Sequence, residues 1–172
     1  GAEEKAAVMA LFDEAIARGE VFGYNGPHEA EHEKAFAAWL GGGYADAVNS
    51  GTNAVYCALG ALQLDALSEV IVPPITDPGG VMPVPLLGCV PIVADCDPRS
   101  YNTNAAEIEA VLSPRTRAIV VAHIGGEPVD LEPVLALARR HGLAVVEDCS
   151  QSHGALYRGR PVGTWGDIAA FS

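Results

Sequence analysis

Short aliphatic runs that alternate with helix-like segments are the feature that most constrains the fold of this chain. Each run is mostly apolar, which is typical of parallel strands buried on both faces. Strands that alternate with helices form a parallel sheet with helices on both sides. We therefore predict an α/β fold of three layers, α/β/α, with a mostly parallel sheet. The predicted strands cover residues 45–48, 69–72, 90–94, 117–122 and 143–147, and a last strand covers residues 167–172.

Residues 1–43 have a different, helical pattern. Residues 5–18 are rich in alanine and carry apolar residues at helical spacing, and residues 29–40 form a second such segment. Gly41, Gly42 and Gly43 end the second segment sharply. We predict a helical arm over residues 1–43, followed by the main part of an α/β domain over residues 44–172.

Three later residues mark helix boundaries. Asn104 stands three positions before Glu107, the spacing of a capping box, although with Asn in place of Ser or Thr. Asp130 is predicted to cap a helix over residues 131–141. Gly142 is predicted to end that helix.

Charge and hydrophobicity exclude several classes of protein. Acidic residues outnumber Lys and Arg by 22 to 10, giving a net charge of −12, whereas nucleic-acid binders cluster Lys and Arg against phosphates. No apolar stretch is long enough to cross a membrane, and the first residues lack the basic head and apolar core of a secretory signal. We predict a soluble, cytoplasmic protein that binds neither nucleic acid nor membrane.

The four cysteines show no C-x-x-C pair and no zinc-like spacing. We predict free, buried thiols at Cys57, Cys89, Cys96 and Cys149, because disulfides are rare in the cytoplasm. Cys149 follows Asp148, but no basic residue adjacent in sequence lowers its pKa, so we predict that it is unreactive.

The run at residues 143–147 ends abruptly at Asp148. Proteins of the α/β class place ligand-binding groups at the carboxyl ends of parallel strands. A fixed negative charge at this point suits a cofactor, a helix cap or a metal ion. A metal is the weaker choice, because it needs further ligands, Glu147 is expected on the opposite face of the strand, and His153 is a lone imidazole.

Two other segments are candidate parts of a site. The turn at residues 49–54 precedes a predicted helix, and its N–H groups suit either a phosphate or, more simply, an ordinary helix cap. It is not a P-loop, because the glycine spacing and the lysine of that motif are absent. His123 follows another predicted strand and is either a site residue or, more commonly, a structural histidine.

Several motifs, taken in order and spacing, resemble the DegT/StrS-type sugar aminotransferases, which are pyridoxal-phosphate enzymes of the aspartate-aminotransferase fold. The resemblance runs from the helix around residues 31–40 to residue 172. It implies that the chain holds the main part of the large cofactor-binding domain and that the small C-terminal domain is absent. The motifs are Ser50-Gly51-Thr52-Asn53-Ala54, Val70-Ile71-Val72-Pro73, Asp95-Cys96-Asp97-Pro98, and residues 113–119, 123–130, 147–154 and 163–172.

The resemblance implies a role in binding pyridoxal 5'-phosphate for residues after the fifth strand. Asp148 would pair with the pyridine nitrogen and keep it protonated, so that the ring accepts electrons from the substrate. Gln151 would hydrogen-bond the 3-oxygen of the ring, and Ser150 would lie near one ring face.

The resemblance also turns the phosphate interpretation of the 49–54 turn into the favoured one. Gly51, Thr52 and Asn53 would hold the phosphate through backbone N–H groups. The hydroxyl of Ser172 would add another donor.

The sequence departs from the family pattern at two places. Family members carry a ring-stacking aromatic residue where this chain has Asp77, so the ring is held differently or Asp77 contacts an amine or hydroxyl of the substrate. The lysine that forms the Schiff base would lie beyond Ser172, because Lys5 and Lys34 stand outside any motif. Our preferred explanation is a segment of a longer polypeptide; the others are a protein cleaved into two associating pieces and a truncated, inactive product.

The resemblance implies an aminotransferase that moves an amino group from glutamate or glutamine to a keto-sugar or cyclitol ketone, and a homodimer with sites at the subunit interface. One alternative is a deoxysugar dehydratase of the same family. Another is a non-catalytic binding or regulatory homologue. A third alternative, a Rossmann-type nucleotide binder, would need a G-x-G-x-x-G turn after its first strand, and this sequence has none. Tyr24, Asn25 and His28 are predicted to lie in a loop, either reaching a substrate or simply at the surface.

Overall fold

The computed structural model describes residues 1–21 and 26–172. The chain divides into two compact units, Gly1–Ala47 and Val48–Ser172. The predicted division between residues 43 and 44 remains a prediction. Tyr24 and Asn25, which the sequence analysis places in a loop, lie outside the described residues.

The first unit contains two helices, α1 (Ala2–Arg18) and α2 (Pro27–Trp39). Gly19 ends α1 in the left-handed conformation, with φ 66°. Pro27 begins α2, a position where the missing N–H of proline loses no hydrogen bond. Both predicted helices are present. The prediction that His28 lies in a loop is wrong, because Pro27 starts the helix earlier than the apolar pattern indicates.

The second unit alternates helices and strands. Single turns of 3₁₀ helix, Pro78–Gly80 and Ile124–Gly126, follow β1 and β3 respectively. The helices are α3 (Gly51–Ala61), α4 (Pro83–Leu86), α5 (Ala105–Ala110) and α6 (Leu131–His141), and the strands are β1 (Glu69–Val72), β2 (Val90–Val93), β3 (Thr116–Ala122), β4 (Ala144–Asp148), β5 (Leu156–Tyr157), β6 (Arg160–Pro161) and β7 (Ile168–Ala170).

Five strands form a parallel sheet in the order β2-β1-β3-β4-β7, while β5 and β6 form a separate antiparallel pair. Asp148, the last residue of β4, pairs in register with Ala122 of β3 on one side and Ala170 of β7 on the other. The carboxylate therefore lies at the carboxyl edge of the sheet, between two neighbouring strands. The predicted α/β class and mostly parallel sheet are confirmed.

Two of the predicted strands differ from the structure by more than one residue at an end. Residues 45–48 form no strand, since a strand needs backbone pairing with a neighbour and the N–H of Ala47 donates instead to the Glu33 carboxylate at 2.9 Å. The last strand is shorter than predicted. Asp167 lies outside it and accepts a hydrogen bond from the N–H of Val145 at 2.8 Å.

The core lies on both faces of the sheet, because successive strand residues point to opposite sides. Val146 packs with Val55 and Leu59 of α3, whereas the adjacent Val145 packs with residues of α5 and α6 such as Ile108 and Leu137. Burying both faces stabilises the fold by roughly 1.5–3 kcal/mol for each fully buried aliphatic side chain. The predicted three layers follow from these two clusters.

The predicted cap of α5 is confirmed, and that of α6 differs. Asn104 Oδ1 accepts the N–H groups of Ala106 and Glu107 at 2.9 and 3.1 Å. The carboxylate of Asp130 accepts no hydrogen bond from the backbone N–H groups of α6. Instead the Tyr157 hydroxyl donates to Asp130 and accepts the N–H of Glu132. Gly142 ends α6 as predicted, with φ 63°.

The four cysteines are free thiols, as predicted, but only two of them are buried. Cys89 and Cys149 lie in the core, Cys96 is half-buried and Cys57 is exposed. The prediction fails at Cys57 because it lies on the outer side of α3, away from the buried Val55 and Leu59. Within the described ranges, no helix has the length and hydropathy needed to cross a membrane.

Candidate functional site

A cavity of about 320 Å³ opens at the carboxyl edge of the sheet, around Asp148. Seven of the eight residues predicted for the site line it; the exception is Asn53. Asp148 and Gln151 follow β4, Ser172 follows β7, and the remaining residues come from the start of α3 and the segments after β1 and β3. The lining consists of Ser50, Gly51, Thr52, Val55, Thr76, Asp77, Gly79, Gly80, Ala122, His123, Ile124, Asp148, Ser150, Gln151 and Ser172.

Asp148 brings a buried negative charge to this cavity. Its side chain accepts hydrogen bonds at Oδ1 from the N–H of Ser150 at 3.1 Å and from the Ser150 hydroxyl at 2.7 Å. The residue is only 7% exposed, and within the described parts of the chain it has no ion-pair partner. A buried carboxylate without a cation fits a ligand that supplies one.

The N-terminus of α3 forms another wall of the cavity. Ser50 is the N-cap, and its Oγ accepts the N–H of Asn53 at 3.2 Å. The first N–H groups of a helix have no partner within the helix, so those of Gly51 and Thr52 suit an anion. The cap and phosphate interpretations are therefore compatible. Asn53 lies outside the lining, and its amide group donates to Asn49.

Gly51 allows α3 to approach the end of β7 closely. A Cβ atom on Gly51 would stand 2.6 Å from the Cβ and 2.8 Å from the Oγ of Ser172. Carbon atoms do not approach to that distance without displacement. The absence of a side chain at Gly51 therefore brings the helix N-terminus and the Ser172 hydroxyl to the same place.

The 3₁₀ turn after β1 forms a third wall of the cavity. Asp77 is the one residue of this wall that the sequence analysis predicts. Asp77 Oδ1 accepts the N–H of Gly79 at 3.0 Å and so caps the turn. A Cβ on Gly79 would clash with Thr52 Oγ1, and one on Gly80 would lie 3.0 Å from Asp148 Oδ2. The consecutive glycines after Asp77 were the available signal for this close approach.

Gln151 is oriented by a neighbouring turn. Its Oε1 accepts the N–H of Gly125 at 2.8 Å. A backbone N–H needs an acceptor, so this contact fixes which end of the amide is oxygen. The Nε2 donor group is left for the cavity, which Gln151 lines.

His123 also lines the cavity, but its two nitrogens are engaged in the protein. Nδ1 accepts the N–H of Val129 at 3.0 Å, so the ring proton sits on Nε2, which donates to Glu147 Oε2 at 3.2 Å. Both side chains are fully buried. The structural interpretation of His123 accounts for these contacts.

Glu147 is a buried carboxylate that faces away from Asp148, as predicted. Besides His123, it accepts the N–H groups of Gly163, Trp165 and Gly166 at 2.8, 2.8 and 2.6 Å. Burial raises the pKa of Glu147, but the hydrogen bonds from His123 and these three N–H groups together outweigh it and lower the pKa. The charged carboxylate thus ties the 163–166 segment to β4.

The side chains of His123, Glu147 and Cys149 lie within 4.8 Å of one another, close enough to suggest a metal site. Their hydrogen bonds argue against one. The imidazole offers no lone pair to a metal while Val129 occupies Nδ1 and the proton occupies Nε2. Burial, followed by the charge of Glu147, raises the pKa of the Cys149 thiol far above its usual range, which keeps it protonated and unreactive.

Comparison with known proteins is consistent with this geometry. The family model described as the DegT/DnrJ/EryC1/StrS aminotransferase family matches residues 3–172. GDP-perosamine synthase of Caulobacter vibrioides is 44% identical over 142 residues, covering 83% of this chain and 38% of that protein. L-glutamine:scyllo-inosose aminotransferase of Streptomyces griseus is 39% identical, covering 84% of this chain and 34% of that protein. The chain therefore spans well under half the length of these relatives.

Two solved structures share the fold. The aminotransferase from Psychrobacter cryohalolentis superposes with a TM-score of 0.87 at 39% identity, covering 93% of this chain and 40% of that one. NtdA from Bacillus subtilis, solved with bound cofactor PMP, superposes with a TM-score of 0.85 at 29% identity, covering 97% of this chain and 37% of that one. The sheet is part of the aspartate-aminotransferase fold, and the chain belongs to the DegT/DnrJ/EryC1/StrS aminotransferase family.

Proposed function

We propose that this chain is the N-terminal portion of a pyridoxal-phosphate-dependent aminotransferase. The complete enzyme moves an amino group from glutamate or glutamine to a keto-sugar or a cyclitol ketone. The observation that carries the proposal is the buried Asp148 carboxylate, which has no protein cation within the described residues and faces a cavity that also contains the N-terminus of α3. The names of the sugar- and cyclitol-modifying relatives support the substrate class.

Asp148 fits the pyridine nitrogen of pyridoxal phosphate. Ser150 holds one carboxylate oxygen through two hydrogen bonds, so the carboxylate is oriented before any ligand binds. When bound, the cofactor supplies a protonated ring that withdraws electrons from the reacting carbon of the substrate. The task of Asp148 is to keep the proton on the ring nitrogen, and that of Ser150 is to hold Asp148 in position beside one ring face.

The phosphate of the cofactor fits the start of α3. Gly51 and Thr52 present backbone N–H groups there, and the Ser172 hydroxyl adds a donor beside Gly51. Asn53 is proposed to support the same turn, because its N–H is held by the Ser50 cap. The helix dipole adds a favourable field for a negative ligand.

Gln151 and Asp77 are the remaining residues of the site, and we propose that they lie near the 3-oxygen and one face of the cofactor ring. Gln151 donates from Nε2 to the 3-oxygen, since its Oε1 is already held by Gly125. Asp77 stands where relatives are expected to stack an aromatic ring. We propose that its carboxylate contacts an amine or hydroxyl of the substrate.

Other parts of the proposal concern the complete protein. The Schiff-base lysine lies beyond Ser172, since Lys5 and Lys34 both belong to the Gly1–Ala47 unit. The division into a 1–43 arm and a 44–172 domain, the homodimer and the cytoplasmic location belong to the same proposal. Besides the second subunit, the proposed partners are a small-molecule amino donor and a keto-sugar or cyclitol acceptor, with no nucleic acid and no membrane.

The test is cofactor binding by the complete enzyme and by its Asp148→Ala variant. Wild-type protein should take up pyridoxal phosphate, turn yellow, and lose the visible band when glutamate or glutamine is added. The Asp148→Ala variant should bind the cofactor more weakly and lose amino transfer by several orders of magnitude. A wild-type protein that binds no pyridoxal phosphate would contradict the proposal.

A further inference from the structure

Asn102 is a buried amide whose side chain hydrogen-bonds both ends of the Ile124–Gly126 turn, which lies beside the cavity. It is 4% exposed and does not line the cavity. Its Oδ1 accepts the N–H of Ile124 at 3.0 Å, and its Nδ2 donates to the carbonyl of Glu127 at 2.8 Å. Both ends of one side chain therefore bracket the Ile124–Gly126 turn.

The backbone of Asn102 is itself fixed. Its carbonyl accepts the N–H of Asp97 at 2.9 Å, and the next residue, Thr103, forms an isolated antiparallel bridge with Cys96. The loop after β2 thus holds Asn102 in place beside the turn after β3.

The turn held by Asn102 needs such support. Gly125 and Gly126 both have positive φ, 63° and 83°, and glycine has more backbone freedom to lose than any other residue. The N–H of Gly125 is the group that holds Gln151 Oε1 at 2.8 Å. The turn therefore supplies the contact that orients the Gln151 amide.

We propose that Asn102 is a positioning residue for Gln151, and that through the Ile124–Gly126 turn it directs the Nε2 donor of Gln151 to the 3-oxygen of pyridoxal phosphate. This inference rests on the proposed function. Asn102 touches neither cofactor nor substrate. It acts by fixing the direction of one hydrogen bond, which pre-organises the site before the ligand arrives.

A buried asparagine with satisfied hydrogen bonds also suits a purely structural residue. A positioning role and a purely structural role differ in the energetic coupling between Asn102 and Gln151. A structural residue affects cofactor binding whether or not Gln151 is present, whereas a positioning residue acts only through it. A double-mutant cycle between Asn102 and Gln151 measures that difference.

The experiment uses the complete enzyme and four variants: Asn102→Ala, Asn102→Asp, Gln151→Ala and Asn102→Ala/Gln151→Ala. Asn102→Asp keeps an acceptor for the Ile124 N–H but sets a carboxylate oxygen against the Glu127 carbonyl, so it perturbs the turn by a second route if the alanine variant folds poorly. For each protein we would measure the dissociation constant for pyridoxal phosphate and the pH midpoint of the visible absorbance of the bound cofactor. Asn104→Ala is the matched control, since it removes the α5 cap from the same loop region without touching the turn.

We expect Asn102→Ala and Gln151→Ala each to weaken binding by roughly 3- to 10-fold, with the double variant within about twofold of Gln151→Ala. Both single changes should raise the pH midpoint, because a donor to the 3-oxygen stabilises its negative charge. Asn102→Asp should move both quantities in the same direction, and Asn104→Ala should lower the melting temperature alone. Additive effects in the cycle, or an unchanged midpoint in both Asn102 variants, would overturn the inference. If wild type and Gln151→Ala bind no cofactor at all, the proposed function fails instead.

Discussion

His123 donates from Nε2 to Glu147 Oε2 across 3.2 Å, with both side chains fully buried. The N–H of Val129 at Nδ1 fixes this tautomer. The Glu147 carboxylate also accepts hydrogen bonds from three N–H groups of the 163–166 segment. A neutral histidine and a charged glutamate thus connect the end of β3, β4 and the segment that leads into β7.

Replacement of Glu147 by Gln should destabilise the protein strongly. The amide nitrogen presents N–H donors to groups that are themselves donors, so two buried N–H groups lose their acceptor, at a cost of about 1–3 kcal/mol each. Urea denaturation followed by circular dichroism measures the loss. The control is Glu109→Gln, which removes an exposed pair with Arg140 and should cost less than about 1 kcal/mol.

The same carboxylate should make stability depend on acid. The pKa of Glu147 is lower in the folded protein than in the unfolded chain. Its stabilising contribution is therefore full above the unfolded value of roughly 4.3 and is lost as the pH falls through the lower folded value. The difference in unfolding free energy between wild type and Glu147→Gln should shrink over that acidic window. A constant difference down to the acid limit would show that Glu147 is not ionised in the fold.

Gly51→Ala should weaken pyridoxal-phosphate binding by tenfold or more. The added Cβ would meet Ser172 Cβ at 2.6 Å and would separate the α3 N-terminus from the end of β7. Titration with the cofactor measures the effect. The control is Gly60→Ala in the same helix, whose Cβ would meet only Leu87 Cδ2 at 3.8 Å and should be neutral or stabilising. Equal affinity in Gly51→Ala and wild type would argue against a phosphate at this helix.

Tyr157→Phe should cost about 1 kcal/mol, the usual cost of a lost helix cap. The change removes the hydroxyl that bridges Asp130 and the N–H of Glu132, and keeps the ring that packs edge-on against Trp165 at 5.1 Å. A thermal melt of the variant tests this. If stability is unchanged, Asp130 caps α6 without the tyrosine.

Patterns within single segments were enough to predict the fold. The runs at residues 69–72 and 117–122 are apolar after their first residues, Glu69 and Arg117, because both sheet faces are covered, and that pattern is local in sequence. The segment at 45–48 is also mostly apolar, with Asp46 as its one charged residue, but whether it pairs depends on a neighbouring strand, which a local pattern does not contain. The Glu33 carboxylate takes the N–H of Ala47 instead.

The site was predictable where a residue's role follows from its place in a motif. Asp148 stands at a strand end and Gly51 at a helix start, so both positions follow from local sequence. The network around Glu147 and the support of Gln151 by Asn102 join residues far apart in the chain. Only the packed tertiary structure brings these partners together, so no motif could have indicated them.

The central claim is that Asp148 holds a proton on the pyridine nitrogen of the cofactor. The most direct measurement is the nitrogen-15 NMR shift of ring-labelled pyridoxal phosphate bound to the complete enzyme and to its Asp148→Asn variant. The account predicts a protonated nitrogen in the wild type at neutral pH and an unprotonated one in the variant. An unprotonated nitrogen in the wild type, or the same shift in both proteins, would contradict it.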